Sequence, residues 1–209
     1  MLIFDIGANI GSWSKANSPN NRIVALEASP TTFPRLVANT AGLNIECLNY
    51  AVTSSTDPVV DFYESQWDVL STLDRAWLTD PSSRFYNQYG NLAATVRTTR
   101  VPTITLDALV AKYGVPALLK VDVEGAENIV IRSLTKKVQT LCFEWATEWN
   151  DKTFECIDHL VSLGYTAFHI QNQDAYTYRP MTYEYNAATA KTALAKTVNK
   201  VDWGMLWCV

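Results

Sequence analysis

Apolar positions along the chain gather in short runs that end in glycine, asparagine or an acid, and stretches with helix signals separate them. Residues 2–6, 22–28, 45–52, 118–123, 141–143, 166–171 and 205–209 read as strands, the first of them apolar but for Asp5. Near-continuous apolar runs mark strands covered on both faces, as in a parallel sheet. A short helix is expected after Gly11, running to the turn cluster at 18–21. Ser29-Pro30 supplies an N-cap followed by proline, and opens a second helix reaching about Ala41-Gly42. Thr105 caps a helix over 106–113 that Gly114 ends. Further helices follow from Glu127 to about 134 and from about 152 to 162, the latter stopped by Gly164. Strand alternating with helix predicts an α/β fold around a mostly parallel sheet.

The alternation breaks once, at about 59–104. Residues 59–64 and 96–105 alternate like half-buried strands, and about thirty residues rich in aromatics lie between them: Trp67, Trp77, Phe85, Tyr86 and Tyr89. Ser71-Thr72-Leu73-Asp74 has the form of a capping box that starts a short helix. An insertion of this length is commonly a lid or a substrate platform. Two readings stand: Trp67 or Trp77 offers a stacking face to an acceptor, or the rings cover a small satellite core.

In open α/β sheets ligands bind beyond the C-terminal strand ends. The first strand ends in Gly7-Ala8-Asn9-Ile10-Gly11, a small-residue turn that lets a ligand approach the backbone and aims N–H groups at negative charge. Its G-x-N-x-G spacing departs from the dinucleotide fingerprint, because Asn9 occupies the place of the glycine that admits a pyrophosphate. Glu27 ends the second strand and suits the two hydroxyls of a ribose. Asn49 and Ala51 lie at the end of the third. In the fourth, Lys120, Asp122 and Glu124 share a face if the strand persists to Glu124, and Glu144 follows the fifth. Charges in a buried strand need partners; a site is one reason to keep them, and an ion pair between Lys120 and Asp122 serving only the fold is the other. His169, within a strand, reads as a satisfied core histidine, and His159 as a solvated helix residue.

Composition narrows the class. The 209 residues are 48% apolar and carry a net charge of −4, enough for a single domain with one sizeable core and no basic surface for nucleic acid. No apolar run reaches the length of a membrane span. Cys47, Cys142, Cys156 and Cys208 form no C-x-x-C pair, which suggests a reducing, cytoplasmic setting. The first core strand begins at residue 2, so the domain is expected to be a piece of a longer chain with neighbouring domains. A nicotinamide reductase is disfavoured by the altered glycine spacing and the lack of a Tyr-x-x-x-Lys pair. A nucleic-acid base methyltransferase is disfavoured by the lack of Asn-Pro-Pro-Tyr and of a Pro-Cys nucleophile.

Phe4-Asp5-Ile6-Gly7-Ala8-Asn9-Ile10-Gly11, Ala25-Leu26-Glu27-Ala28-Ser29-Pro30, Thr105-Leu106-Asp107 and Lys120-Val121-Asp122-Val123-Glu124-Gly125-Ala126-Glu127 resemble the successive motifs of the FkbM-type methyltransferases, and Glu144 matches the acid after the fifth strand. The resemblance covers about residues 1–150. It implies a Rossmann-like class I methyltransferase fold of seven strands, helices on both faces and the last strand antiparallel. It also implies S-adenosylmethionine as methyl donor and a hydroxyl acceptor, often on a sugar such as rhamnose or on a glycan. By that similarity the Asp5–Gly11 turn holds the methionine end, Glu27 the ribose, and the Asn49–Ala51 edge the adenine; Ala28 replaces a proline common at its position. Asp122 is the expected base, with Lys120 orienting it or acting itself, and Glu124 and Glu144 holding substrate hydroxyls. A divalent metal on Asp122 and Glu144 is a rival arrangement. A module that binds cofactor or glycan without turnover is the alternative outside catalysis.

Overall fold

A computed structural model describes residues 1–81, 83, 85–88, 95–197 and 202–209. The main sheet has seven strands: β1 (Leu2–Ile6), β2 (Arg22–Leu26), β3 (Ile45–Leu48), β7 (Leu118–Val121), β8 (Thr140–Ala146), β9 (Phe168–Asn172) and β10 (Trp203–Cys208). Their order is β3-β2-β1-β7-β8-β10-β9. Pairings among the first five are parallel, and β10 runs antiparallel to both its neighbours. This is the expected Rossmann-like arrangement with its last strand reversed. The chain builds outward from β1 to β3 and then returns to β7 on the other side of β1. The C-terminal ends of β1 and β7 therefore flank the switch point where such sheets hold ligands.

Alternate residues of each strand enter different cores. Phe4 and Ile6, Val24 and Leu26, and Leu119 and Val121 join one buried cluster, while Ile3, Ile23, Ala25 and Leu118 join the other around Trp13. Asp5 and Lys120 are register partners on the Trp13 face, so the period of two that buries the strand also brings an acid beside a base. Helices α1 (Ser12–Asn17), α2 (Phe33–Thr40), α5 (Leu106–Tyr113), α6 (Glu127–Ile131), α7 (Asn150–Ser162) and α8 (Ala187–Ala195) accompany these strands. Thr105 caps α5 through its side chain, and Gly114 ends it at φ 94°.

Several boundaries differ from the sequence expectation. The third strand does not run through to Val52. It stops at Leu48, and β4 (Ala51–Val52) pairs with β6 (Arg97–Ile104) in a second sheet. The Asn49 side-chain amide donates to the carbonyls of Glu27 and Ala28, which turns the chain away from β2. Helix α2 begins at Phe33, not at Ser29-Pro30, because the Ser29 hydroxyl accepts from the N–H groups of Thr31 and Thr32 and closes a turn first. Strand β7 ends at Val121, and Glu124 takes φ 58°, so the strand does not persist to Glu124. Helix α8, with a reciprocal Asn186–Thr189 capping box, lies in a segment from which no helix was expected.

The insertion forms a three-stranded sheet in the order β4-β6-β5, with β5 (Val59–Glu64) antiparallel to β6, followed by short helices α3 (Arg75–Thr79) and α4 (Phe85–Gln88). Asp74, not Ser71, caps α3, accepting from the Ala76 N–H. Trp77 is 2% exposed and packs with Leu70, Leu78 and Phe85, the satellite core that was one of the two readings. Trp67 is 49% exposed. Tyr89 lies outside the described residues. Among the described residues no helix is long and apolar enough to cross a membrane.

Candidate active site

A cleft of about 890 Å³ opens at the C-terminal ends of β1, β2, β7 and β8. Gly7, Ala8, Asn9 and Ile10 from the first turn, and Glu27 and Ala28 from the second strand end, form one wall. Ala51, Val52, Phe62, Leu70 and Leu73 form an apolar slot beside it. Lys120, Asp122, Glu124 and Glu144 face them, and Asp174, Tyr176 and Trp203 close the far side.

The first wall is built by main-chain donors. Glu27 is 8% exposed; its Oε1 accepts from Ser29 N and its Oε2 from Asn9 N, both at 2.8 Å. A carboxylate offers about four lone-pair positions, so two remain for a diol. Burial pushes the Glu27 carboxyl up to about 7, against the pull of the Ser29 and Asn9 amides, and Asp5 adds repulsion. Asn9 holds φ 50°, a left-handed conformation that asparagine tolerates better than most residues. A Cβ on Gly7 would lie 1.7 Å from the Asp122 carbonyl oxygen, so the ends of β1 and β7 touch through their main chains.

Three expected ligand contacts stand behind the cleft rather than on it. Asp5 is wholly buried: Ser14 Oγ donates to it at 2.5 Å, and Lys120 Nζ lies 3.4 Å away. Gly11 serves the backbone, which takes a left-handed φ of 86° there, and it packs against Leu36 and Thr40. Asn49 shapes the bend after β3 and does not line the cleft.

Lys120 is the buried centre of the opposite wall. Its ammonium lies 3.0 Å from Asp122 and 5.7 Å from the Trp13 ring centroid. Burial works against that charge, but Asp122 and Asp5 outweigh it and hold the lysine protonated. Asp122 is thus both ion-paired and, at 24% side-chain exposure, reachable from the cleft. Asp122, Glu124 and Glu144 each place one carboxylate oxygen within 4.8 Å of the others, an oxygen set that suits a hard divalent cation. Glu124 reaches this cluster through the turn after β7. There Glu127 accepts from Val123 N at 2.9 Å, and Lys152 Nζ donates to the Gly125 carbonyl at 3.0 Å while pairing with Asp74. The Trp77 ring lies so close to Gly125 that a Cβ would sit 2.5 Å from it.

Residues unforeseen from the sequence complete the site. Arg35 on α2 pairs with Asp68, and both line the cleft. Glu64, buried at the end of β5, accepts from Ser29 Oγ at 2.7 Å, Thr99 Oγ1 at 2.9 Å and Arg97 Nε at 3.0 Å. Asp174 follows β9, and burial raises its pKa against the pull of Lys120. The rule that singled out Glu27, an acid just past a strand end, applies equally to Asp174, whose strand points the same way. His169 is satisfied between Glu184 (2.8 Å) and Tyr178 (2.6 Å), and His159 is half-buried with Nε2 2.9 Å from the Leu134 carbonyl.

The sequence matches the methyltransferase FkbM domain family over residues 5–179. It is 28% identical over 146 residues to a hexuronic acid methyltransferase of Haloferax volcanii, an alignment covering 68% of this chain and 53% of that protein. The chain thus spans about half the length of the curated relative it matches. Similar solved structures include a precorrin-8w decarboxylase of Methanobacterium thermoautotrophicum (TM-score 0.49, 12% identity, 100% of this chain and 81% of that one). Another is the Aeropyrum pernix fibrillarin with S-adenosylmethionine bound (TM-score 0.44, 12% identity, 100% and 65%).

Proposed function

The chain belongs to the FkbM methyltransferase family, and we propose that it uses S-adenosylmethionine to methylate a hydroxyl group of a sugar, in a glycan or a deoxysugar. The observation that carries this reading is Asp122, a carboxylate in the cleft whose main chain touches the Gly7 turn. The residues present fit the cofactor: a carboxylate with two lone-pair positions left for ribose hydroxyls, an apolar slot for a flat ring, and a backbone turn for the amino-acid end. The hexuronic acid in the name of the Haloferax volcanii relative supports a sugar as acceptor class.

When bound, S-adenosylmethionine supplies a sulfonium methyl group that needs only an aligned nucleophile. Asp122 accepts the proton of the acceptor hydroxyl as its oxygen attacks, and Lys120 fixes the carboxylate in place. Glu124, Glu144 and Asp174 receive other acceptor hydroxyls, and the half-exposed Trp67, next in sequence to the lining residues Asp68 and Val69, is the ring we assign to acceptor stacking. The carboxylate cluster supports a second version in which Asp122 and Glu144 would hold a magnesium ion, which would supply a Lewis acid for the acceptor oxygen. Lys120 weighs against it, because its ammonium already compensates Asp122.

Incubation with S-adenosylmethionine and a sugar library, read by mass spectrometry, tests the reading; a chain that binds cofactor but methylates no sugar is a binding module. With an acceptor in hand, Asp122→Asn is expected to lose about 10²–10⁴-fold in kcat, the range for general-base assistance, with cofactor affinity retained. A variant keeping more than about a tenth of the rate removes Asp122 from both versions. Loss of wild-type activity in chelator, restored by magnesium, selects the metal version.

A further inference from the structure

The inserted sheet meets the cofactor side of the cleft at one buried charge. Glu64 and Arg97 are register partners at the end of the β5–β6 ladder from which the segment 65–96 departs, and the Arg97 guanidinium pairs with the Glu64 carboxylate. The same guanidinium donates to Thr31 Oγ1 at 2.9 Å. The other Glu64 oxygen accepts a hydrogen bond from the Ser29 hydroxyl at 2.7 Å. Ser29 is thereby fixed from both directions, since its oxygen also accepts the Thr31 and Thr32 amides. Its own N–H, at 2.8 Å, is one of the two donors that orient Glu27.

Glu64 is 6% exposed, and its four donors come from two separate stretches of chain: Ser29 in the turn after β2, and Thr99 with the two groups of Arg97 on β6. A hairpin end needs no buried acid for its own pairing; exposed ion pairs stabilise such ends only weakly. The buried acid joins the insertion to the turn after β2 at Ser29, the same residue whose N–H holds the Glu27 carboxylate.

We propose that Glu64 is a positioning residue for the cofactor: through Ser29 it sets the Glu27 carboxylate for the ribose hydroxyls, so the insertion governs cofactor affinity as well as acceptor access. This rests on the assignment of Glu27 to the ribose. Removing Glu64 frees the Ser29 hydroxyl, lets the turn relax and costs Glu27 one of its two orienting amides. The effect then depends on the carboxylate being there to orient.

Calorimetry with S-adenosylhomocysteine tests this on the full chain. Glu64→Gln is expected to weaken binding at least about tenfold in the wild-type background and less than about threefold in a Glu27→Gln background, since coupled residues are non-additive. An effect of equal size in both backgrounds shows a merely structural role and overturns the proposal, as does unchanged affinity in the single variant. Should Glu64→Gln fail to fold, Ser29→Ala is carried through the same cycle, with the same coupling expected and additivity overturning it. Failure of the wild-type chain to bind S-adenosylhomocysteine overturns the ribose assignment itself, and the proposal with it.

Discussion

Two buried acids joined through Ser29 are displaced in opposite directions, with opposite consequences for pH. Glu27 is pushed up to about 7 by burial. The unfolded chain gives up that proton first, so the stability contributed by the neutral group is complete below about 4.5 and is lost as the pH climbs to about 7. Glu64 is held down to about 2: burial opposes this, but the bonds from Ser29, Arg97 and Thr99 outweigh it. Its contribution is present above about 4.5 and is lost as the pH falls towards about 2. On the ribose assignment proposed for Glu27, the ligand hydroxyls donate to its ionised form, so binding is expected to lower its pKa. Calorimetry of S-adenosylhomocysteine binding at about pH 6.5, in two buffers of different ionisation enthalpy, is expected to show net proton release that Glu27→Gln abolishes. Equal release by both proteins would place the titrating group elsewhere. Glu27 was readable in the sequence because it closes an apolar run; Glu64 was not, because its meaning comes from donors up to 35 residues away.

At the scale of elements, strands were legible wherever the apolar run was continuous, and helix α5 was legible from its own cap and stop, Thr105 and Gly114. What escaped was decided by distant atoms. The break between β3 and β4 follows from an Asn49 side chain reaching the β2 end, and the late start of α2 from a Ser29 hydroxyl already bonded elsewhere. Helix α8 was hidden because its capping box uses Thr189 where a glutamate or glutamine is the usual signal. The insertion divides its two foremost tryptophans by environment. Trp77, buried against Gly125, is expected to cost about 3–5 kcal/mol of stability when replaced by alanine, the range for a large core ring. Trp67, half exposed, is expected to cost no more than about 0.5 kcal/mol, while raising the acceptor KM. Chemical denaturation and steady-state kinetics on both variants check this; a Trp67→Ala chain with unchanged KM removes the ring from the acceptor site.

For the whole molecule, the cleft lies where the seven-stranded sheet, the inserted sheet and the segment after β9 meet, so a ligand there touches all three. S-adenosylhomocysteine at 100 times its Kd is expected to add about 2.7 kcal/mol to stability. For a chain of this size that corresponds to a rise of about 5–11 °C in Tm. Absence of a shift at saturating ligand would mean that the folded state does not bind it. The mostly parallel character of the main sheet followed from strand–helix alternation, but the far wall of the cleft did not, because Asp174 and Tyr176 arrive on a polar segment without periodicity. That contrast between walls bears on how the protein could be re-engineered. Gly7 leaves no room for any side chain against the Asp122 carbonyl, so the Gly7 turn and the main chain at Asp122, to which we assign the methyl donor and the proton acceptor, are held in direct contact. A library seeking new acceptors should leave that contact untouched and randomise Trp67, Asp174 and Tyr176, where a change of partner leaves the distance over which the methyl group travels intact.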